Sequence, residues 1–225
     1  MADEQSKNPE FLDQGSMMIY IDPKLMSSLN DMAEKKQEDL KALQAAAEDG
    51  DLDAQYRLGR SYYYGEDGAP KDGEQAFQWF SRAADGDSIA AQYYLGLCYI
   101  RGVGTEKDMV RAVELFSGAA AEGYMPAVCE LGLCYELGHG VEMDKGKAAE
   151  LYQEGADQDY APAQCNLGYF YYQGIYFEEN NDAAAVLFAK AAQQGYPRAQ
   201  VLMGECFENG YGVEKIGRAS CRERV

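Results

Sequence analysis

Ala91-Gln92-Tyr93-Tyr94-Leu95-Gly96-Leu97-Cys98-Tyr99-Ile100-Arg101-Gly102 decides the fold, because the chain keeps returning to it. The same skeleton follows Ala54, Ala127, Ala163 and Ala199: a Leu-Gly pair (Met203-Gly204 in the last copy), then an aromatic, then a closing Gly. Successive starts are 37, 36, 36 and 36 residues apart. A fixed period of this size means stacked supersecondary units, since one such unit cannot bury its apolar faces alone.

Each copy reads as a helical hairpin. The first helix runs from about the repeated Ala to Gly65, Gly102, Gly138, Gly174 or Gly210, where glycine supplies the left-handed C-cap. The second helix opens at Asp72, Asp108, Asp144 or Asn180, all good N-caps, and Gln75 three residues after Asp72 suggests a capping box. It then carries Ala76, Ala112, Ala148 or Ala184, followed by Trp79-Phe80, Leu115-Phe116, Leu151-Tyr152 or Leu187-Phe188. Its expected ends are Gly86, Gly123, Asp159 and Gly195. One additional residue between Gly65 and Asp72 accounts for the single 37-residue step. Leu58, Leu95, Leu131 and Leu167, with Tyr62, Tyr99, Tyr135 and Tyr171, are the expected core.

Upstream, Asp22-Pro23 is a helix start, Asp as cap and Pro in the first turn. Leu25, Leu29, Met32, Leu40, Leu43 and Ala47 then follow steps of three and four, interrupted at Lys36. This predicts one long helix, or two broken near Lys35-Lys36, ending at Gly50 and capping the solenoid. In residues 1–21 the one apolar run, Met17–Ile21, fits a short strand, a docking arm or a flexible tail. Downstream the register breaks. Ile216, Ser220, Glu223 and Arg224 stand where a cap, a small residue and a bulky apolar pair belong. Residues 216–225 resemble the translation of a sequencing-library adapter and are expected to be a non-native tail, with the natural chain continuing beyond Lys215. The expected organisation is an arm at 1–21, a capping helix at 22–50, repeats at 51–87, 88–124, 125–160 and 161–196, and a partial repeat at 197–215.

Composition narrows the function classes. With 47% hydrophobic and 12% aromatic residues the chain can bury a core. Asp and Glu number 38 against 20 Lys and Arg, a net charge of −18, which repels phosphate backbones and anionic membrane surfaces. No nucleic-acid or membrane partner is therefore expected. The start shows no basic and apolar leader, and no apolar run approaches the roughly 20 residues of a membrane span, so a cytoplasmic location is expected.

Residues from about 51 to 215 resemble the SEL-one-like repeat family, relatives of the tetratricopeptide repeats. Its pattern, Ala-x3-Leu-Gly-x2-Tyr-x2-Gly-x-Gly-Val-x2-Asp-x3-Ala-x2-Trp/Leu-aromatic-x2-Ala-Ala-x2-Gly, is followed almost throughout from Ala91 to Gly123. The resemblance implies an all-α fold: an α-solenoid of helix-turn-helix repeats in a right-handed superhelix, with the first helices lining the concave face. It also implies a protein-interaction scaffold or adaptor. A cysteine-rich branch of the family, stapled by disulfides within each repeat, implies penicillin binding or β-lactamase activity as the alternative, and an accessory module of a larger protein is the third reading. The paired cysteine spacing of that branch is missing. Cys98, Cys134 and Cys206 share one repeat position and Cys129 and Cys165 another, as small buried residues in columns would.

Catalytic chemistry finds no foothold. Ser-x-x-Lys, Gly-x-Ser-x-Gly and a Walker-type loop are all missing; Gly146-Lys147 is followed by Ala148. His139, the only histidine, lies between loop glycines. Asp49, Asp51 and Asp53 alternate like a calcium loop, but Ala54 takes the place of its glycine. No enzyme activity, cofactor or metal is expected. A protein or peptide partner is expected instead, on the third, sixth and tenth positions after each repeated Ala, which share one side of the first helix. These are Arg57, Arg60 and Tyr64; Tyr94, Leu97 and Arg101; Glu130, Leu133 and Leu137; and Asn166, Tyr169 and Gln173. Tyrosine and arginine are enriched at interface hot spots, and Tyr94 and Tyr169 are the expected anchors.

Overall fold

The structure is a computed structural model that describes residues 11–14, 17–20 and 22–214. A two-stranded antiparallel hairpin, β1 (Phe11–Gln14) and β2 (Met17–Tyr20), pairs Phe11 with Tyr20 and Gln14 with Met17. The apolar run at 17–20 is thus a strand. Its partner at 11–14 is an addition to the all-α plan, and Ile21 lies outside the described residues.

Ten helices follow among the described residues: α1 (Pro23–Glu48), α2 (Leu52–Tyr64), α3 (Gly73–Asp85), α4 (Ile89–Arg101), α5 (Met109–Ala121), α6 (Met125–Leu137), α7 (Lys145–Asp157), α8 (Ala161–Gln173), α9 (Asn181–Gln193) and α10 (Pro197–Asn209). Each packs on the next in sequence, as in a solenoid. Helix α1 is continuous through Lys35-Lys36. Only its second half enters the core, through Leu40 and Ala47, whereas Leu25, Leu29 and Met32 are exposed. Residues 215–225, including the stretch expected to be non-native, lie outside the described residues.

The even-numbered helices α2 to α10 are the first helices of the repeats. The closing glycines Gly65, Gly102, Gly138, Gly174 and Gly210 all take left-handed C-caps. These helices begin two residues before the repeated Ala, because the cap lies one residue earlier still: Asp51, Ser88, Tyr124, Tyr160 and Tyr196. Asp51 and Ser88 cap through their side chains; the three tyrosines do not. The second helices are capped by Asp72, Asp108, Asp144 and Asn180 as expected. The capping box at Asp72 is half formed. Its side chain accepts from Glu74 and Gln75, but its own N–H donates to the Tyr62 carbonyl. Asp108, Asp144 and Asn180 likewise donate to Tyr99, Tyr135 and Tyr171, so this bond pins the loop within each of the four complete hairpins to its first helix.

Helix α3 ends at the expected Gly86, its C-cap, but the left-handed turn does not fall on that glycine. Gly86 has φ −93°, and the left-handed residue is Asp87 at +66°, in register with Gly50, Gly123, Asp159 and Gly195. A Cβ at Gly86 would run into Leu52, so this glycine answers a close approach rather than a turn.

The core is a column repeated at each interface. Ala54, Ala91, Ala127, Ala163 and Ala199 are buried, as are Leu58, Leu95, Leu131 and Leu167. Tyr62, Tyr99, Tyr135 and Tyr171 are half buried, and two of their hydroxyls reach polar partners: Gln44 donates to the Tyr62 hydroxyl at 3.0 Å and Arg111 to that of Tyr99 at 3.1 Å. Phe80, Phe116, Tyr152 and Phe188 are each fully buried. Each ring lies over the glycine of its own repeat's first helix. A Cβ added at Gly59, Gly96, Gly132 or Gly168 would come within 2.7, 2.5, 2.7 or 2.8 Å of it. The Leu-Gly pair therefore reads as one residue that fills the core and one that lets the facing aromatic in.

Candidate partner-binding face of the first helices

Arg60 on α2 lies among three tyrosine rings, with its guanidinium carbon 6.0 Å from the Tyr56 centroid, 5.8 Å from Tyr64 and 5.9 Å from Tyr94. Tyr94 is held by packing from beneath. Its ring stacks on Phe80 at 5.1 Å and 24° and meets Tyr56, Tyr63, Tyr64 and Tyr93 at tilted or edge-on angles. The Tyr64 and Tyr94 hydroxyls are 3.4 Å apart. Arg101, at the end of α4, donates to the Tyr63 hydroxyl at 2.8 Å. Arg57 is exposed beside Asp53 at 3.8 Å, a surface pair of little energetic consequence.

Further along, Leu133 and Leu137 are exposed on α6, and Gln173 is exposed on α8. Asn166 donates to the Cys129 sulfur at 3.4 Å and accepts from Arg198 at 2.8 Å, and the same arginine lies 5.3 Å from the Tyr169 ring centroid. Glu130 is half buried; burial pushes its carboxyl above the ordinary value and Arg101 pulls it back. Leu97 is different from its companions. It is 4% exposed and packs with Ala112, Val113 and Phe116, so it belongs to the core and offers nothing to a partner.

The expected stripe therefore resolves into two clusters: Arg60, Tyr64, Tyr94 and Arg101 across α2 and α4, and Asn166 and Tyr169 with Arg198 across α8 and α10. Sequence reasoning missed Tyr56, Tyr93, Tyr124, Tyr160, Tyr196 and Arg198. Tyr93 and Tyr124 meet edge-on, with ring centroids 5.5 Å apart. Burial pushes the phenols of Tyr93, Tyr160 and Tyr196 up, and the Glu130 charge adds to each shift, so all three stay neutral hydrogen-bonding groups. A signal for three of them was present: Tyr124, Tyr160 and Tyr196 recur at the 36-residue period, three residues before the repeated Ala.

The described cysteines are free thiols in the core. Burial pushes Cys98 and Cys129 up to about 12, and Cys134 and Cys165 up to about 11. Since the thiolate is the nucleophile, these four should resist iodoacetamide at pH 8 in the native protein and react in urea. Mass mapping of the alkylated peptides checks this; labelling of Cys98 or Cys165 without denaturant would contradict it. Among the described residues no group of three or more His, Cys, Asp or Glu is gathered as metal ligands would be, and no helix is long and apolar enough to cross a membrane.

Capped hairpins stacked through an Ala-Leu-Gly column, with a varied tyrosine and arginine surface on their first helices, define a helical-repeat solenoid. The chain belongs to the Sel1 repeat family, whose model matches residues 52–88, 89–124, 126–160, 161–196 and 197–219. It is similar to a protective antigen of uropathogenic Escherichia coli displaying an SLR fold, with 33% identity, a TM-score of 0.70, and coverage of 81% of this chain and 39% of that one. A Sel1 repeat protein from Oxalobacter formigenes is 32% identical with a TM-score of 0.71, over 79% of this chain and 51% of that one. The component HRD3A of an ERAD-associated E3 ubiquitin-protein ligase from Arabidopsis thaliana is 34% identical over 68 residues, 30% of this chain and 10% of the relative. The chain thus spans about half or less of each of these proteins.

Proposed function

We propose that this chain is a non-catalytic protein-interaction scaffold that holds a peptide or protein partner along the face of its first helices. The observation that supports the reading most is the outward-facing cluster of Arg60, Tyr64 and Tyr94, whose side chains are held by one another across α2 and α4. Rigid aromatic side chains of this kind give contact area at low entropic cost, and tyrosine and arginine dominate hot spots. The likeness to HRD3A, a component of an ERAD-associated E3 ubiquitin-protein ligase, points the same way.

A photo-crosslinking amino acid at Tyr64 and, separately, at Tyr169 is expected to capture the same partner from cell extract. The same probe at Val186, exposed on second helix α9, should capture nothing. Crosslinks from Val186 alone, or from none of the three positions, would sink the reading.

A further inference from the structure

We infer that the α2–α4 end of this face receives an acidic segment of a partner, with a partner carboxylate seated on the Arg60 guanidinium between Tyr64 and Tyr94. The inference rests on the scaffold reading and adds the chemistry of what is held.

The distribution of charge leads to it. The chain carries −18 overall, yet α2 and α4 hold Arg57, Arg60 and Arg101 against a single acidic residue, Asp53. With Arg57 beside Asp53 and Arg101 within the influence of Glu130 on α6, Arg60 is the cation of this face that no carboxylate among the described residues offsets, and it is there that a carboxylate-bearing segment can approach with least repulsion.

The state of Arg60 sharpens this. Among the six described arginines, Arg57 pairs with Asp53, Arg101 with the Tyr63 hydroxyl, Arg111 with Asp108 and Tyr99, and Arg198 with Asn166. Arg82 lies exposed over Trp79 on α3. Arg60 is half buried and pairs with no carboxylate among the described residues; its Nε is shielded from water without a partner, and the hydrogen-bonding group at its guanidinium is the weakly engaged Tyr56 phenol. Burial alone would lower its pKa, but the Tyr94, Tyr56 and Tyr64 phenols more than offset this, so the group stays charged. The three rings border the guanidinium while supplying no carboxylate. Its fork of N–H donors matches a carboxylate with two parallel bonds, and the neighbouring Tyr64 hydroxyl offers a third donor.

The test uses fluorescence anisotropy with fluorescein-labelled acetyl-hexaglutamate, and hexalysine and a Gly-Ser hexamer as comparisons. Hexaglutamate is expected to bind the full chain in low salt, and to lose affinity as salt rises through the screening range. Arg60→Gln should weaken it at least about tenfold, the scale for losing one charge-assisted bond. Arg60→Lys should recover only part, since it keeps the charge without the fork. Arg82→Gln, on a second helix, should change nothing. Circular dichroism and urea melts establish that the variants are folded; if Arg60→Gln is not, Arg60→Lys and high salt give the same reading. Failure of hexaglutamate to bind, or equal binding by Arg60→Gln, overturns the inference. If Tyr64 still crosslinks a partner when hexaglutamate fails, the scaffold reading stands and the acidic ligand falls. If both fail, both fall.

Discussion

Phe116→Ala is expected to cost about 3–5 kcal/mol, measured by urea unfolding, the range for emptying a large buried aromatic site. Phe116 is fully buried at the centre of the cluster that joins α4, α5 and α6. Because a repeat touches only its neighbours, the loss of hydrogen-exchange protection should concentrate in those three helices. The partner of this ring is Gly96, where a Cβ would lie 2.5 Å from Cε1 and 2.9 Å from Cδ1. Gly96→Ala should therefore destabilise by about 1–3 kcal/mol through overpacking, although alanine is the better helix former. Combined, the two should be less than additive, because the new methyl enters the space that the ring has left. Gly204 occupies the same repeat position in α10 and meets nothing within 4 Å. Gly204→Ala should carry the opposite sign, a gain of up to about 1 kcal/mol. An additive double variant, or equal losses at Gly96 and Gly204, would mean that the glycine column has another cause.

That contrast shows what a sequence of this kind reveals. The repeated Ala, Leu, Gly and cap residues act within one hairpin or across one interface, so their roles follow from spacing. Where one residue type serves two purposes, spacing misleads. Gly86 looks like another C-terminal glycine, but it clears a path for Leu52, and the left-handed turn falls on Asp87. Counting back one 36-residue period from Gly123 would have selected Asp87. The first-helix starts were hidden in the same way, since Tyr124, Tyr160 and Tyr196 replace recognisable caps.

The candidate face was less legible because a helical position does not say how far the next hairpin reaches. Arg60, Leu97, Leu133 and Tyr169 occupy one position in successive repeats. Two are half buried, one is exposed and Leu97 is in the core, according to what packs beside each. Tyr56 and Tyr93 were passed over because they stand beside the chosen stripe, yet their rings complete the packing around Tyr94. Arg60 was chosen from its spacing alone. Its lack of a carboxylate depends on side chains from two helices and emerges only in three dimensions.

Repeat three offers a test of how one column tolerates a polar intruder. Its deep aromatic is Tyr152, where the other complete repeats have phenylalanine, and the hydroxyl donates to Glu136 at 2.7 Å. Burial keeps this phenol protonated, with the Glu136 bond acting in the same direction. The position of Glu136 is Tyr63, Ile100 and Tyr172 in the other repeats; Tyr63 and Tyr172 meet their own repeat's ring at 6.1 and 6.4 Å. Glu136→Ala should cost about 1–3 kcal/mol, because it leaves a buried hydroxyl without its acceptor. Tyr152→Phe should cost less, about 0.5–1.5 kcal/mol, since the half-buried Glu136 can turn to water. Glu136→Ile with Tyr152→Phe installs the Ile100 and Phe116 combination of repeat two. Removing both polar partners in favour of apolar groups of similar shape should bring stability within about 1 kcal/mol of the parent chain. Urea melts of the four proteins form a double-variant cycle in which the pair must be more stable than its single changes predict. If the double variant instead shows the sum of both losses, the hydroxyl and carboxylate do not act as a unit, and repeat three depends on something other than this bond.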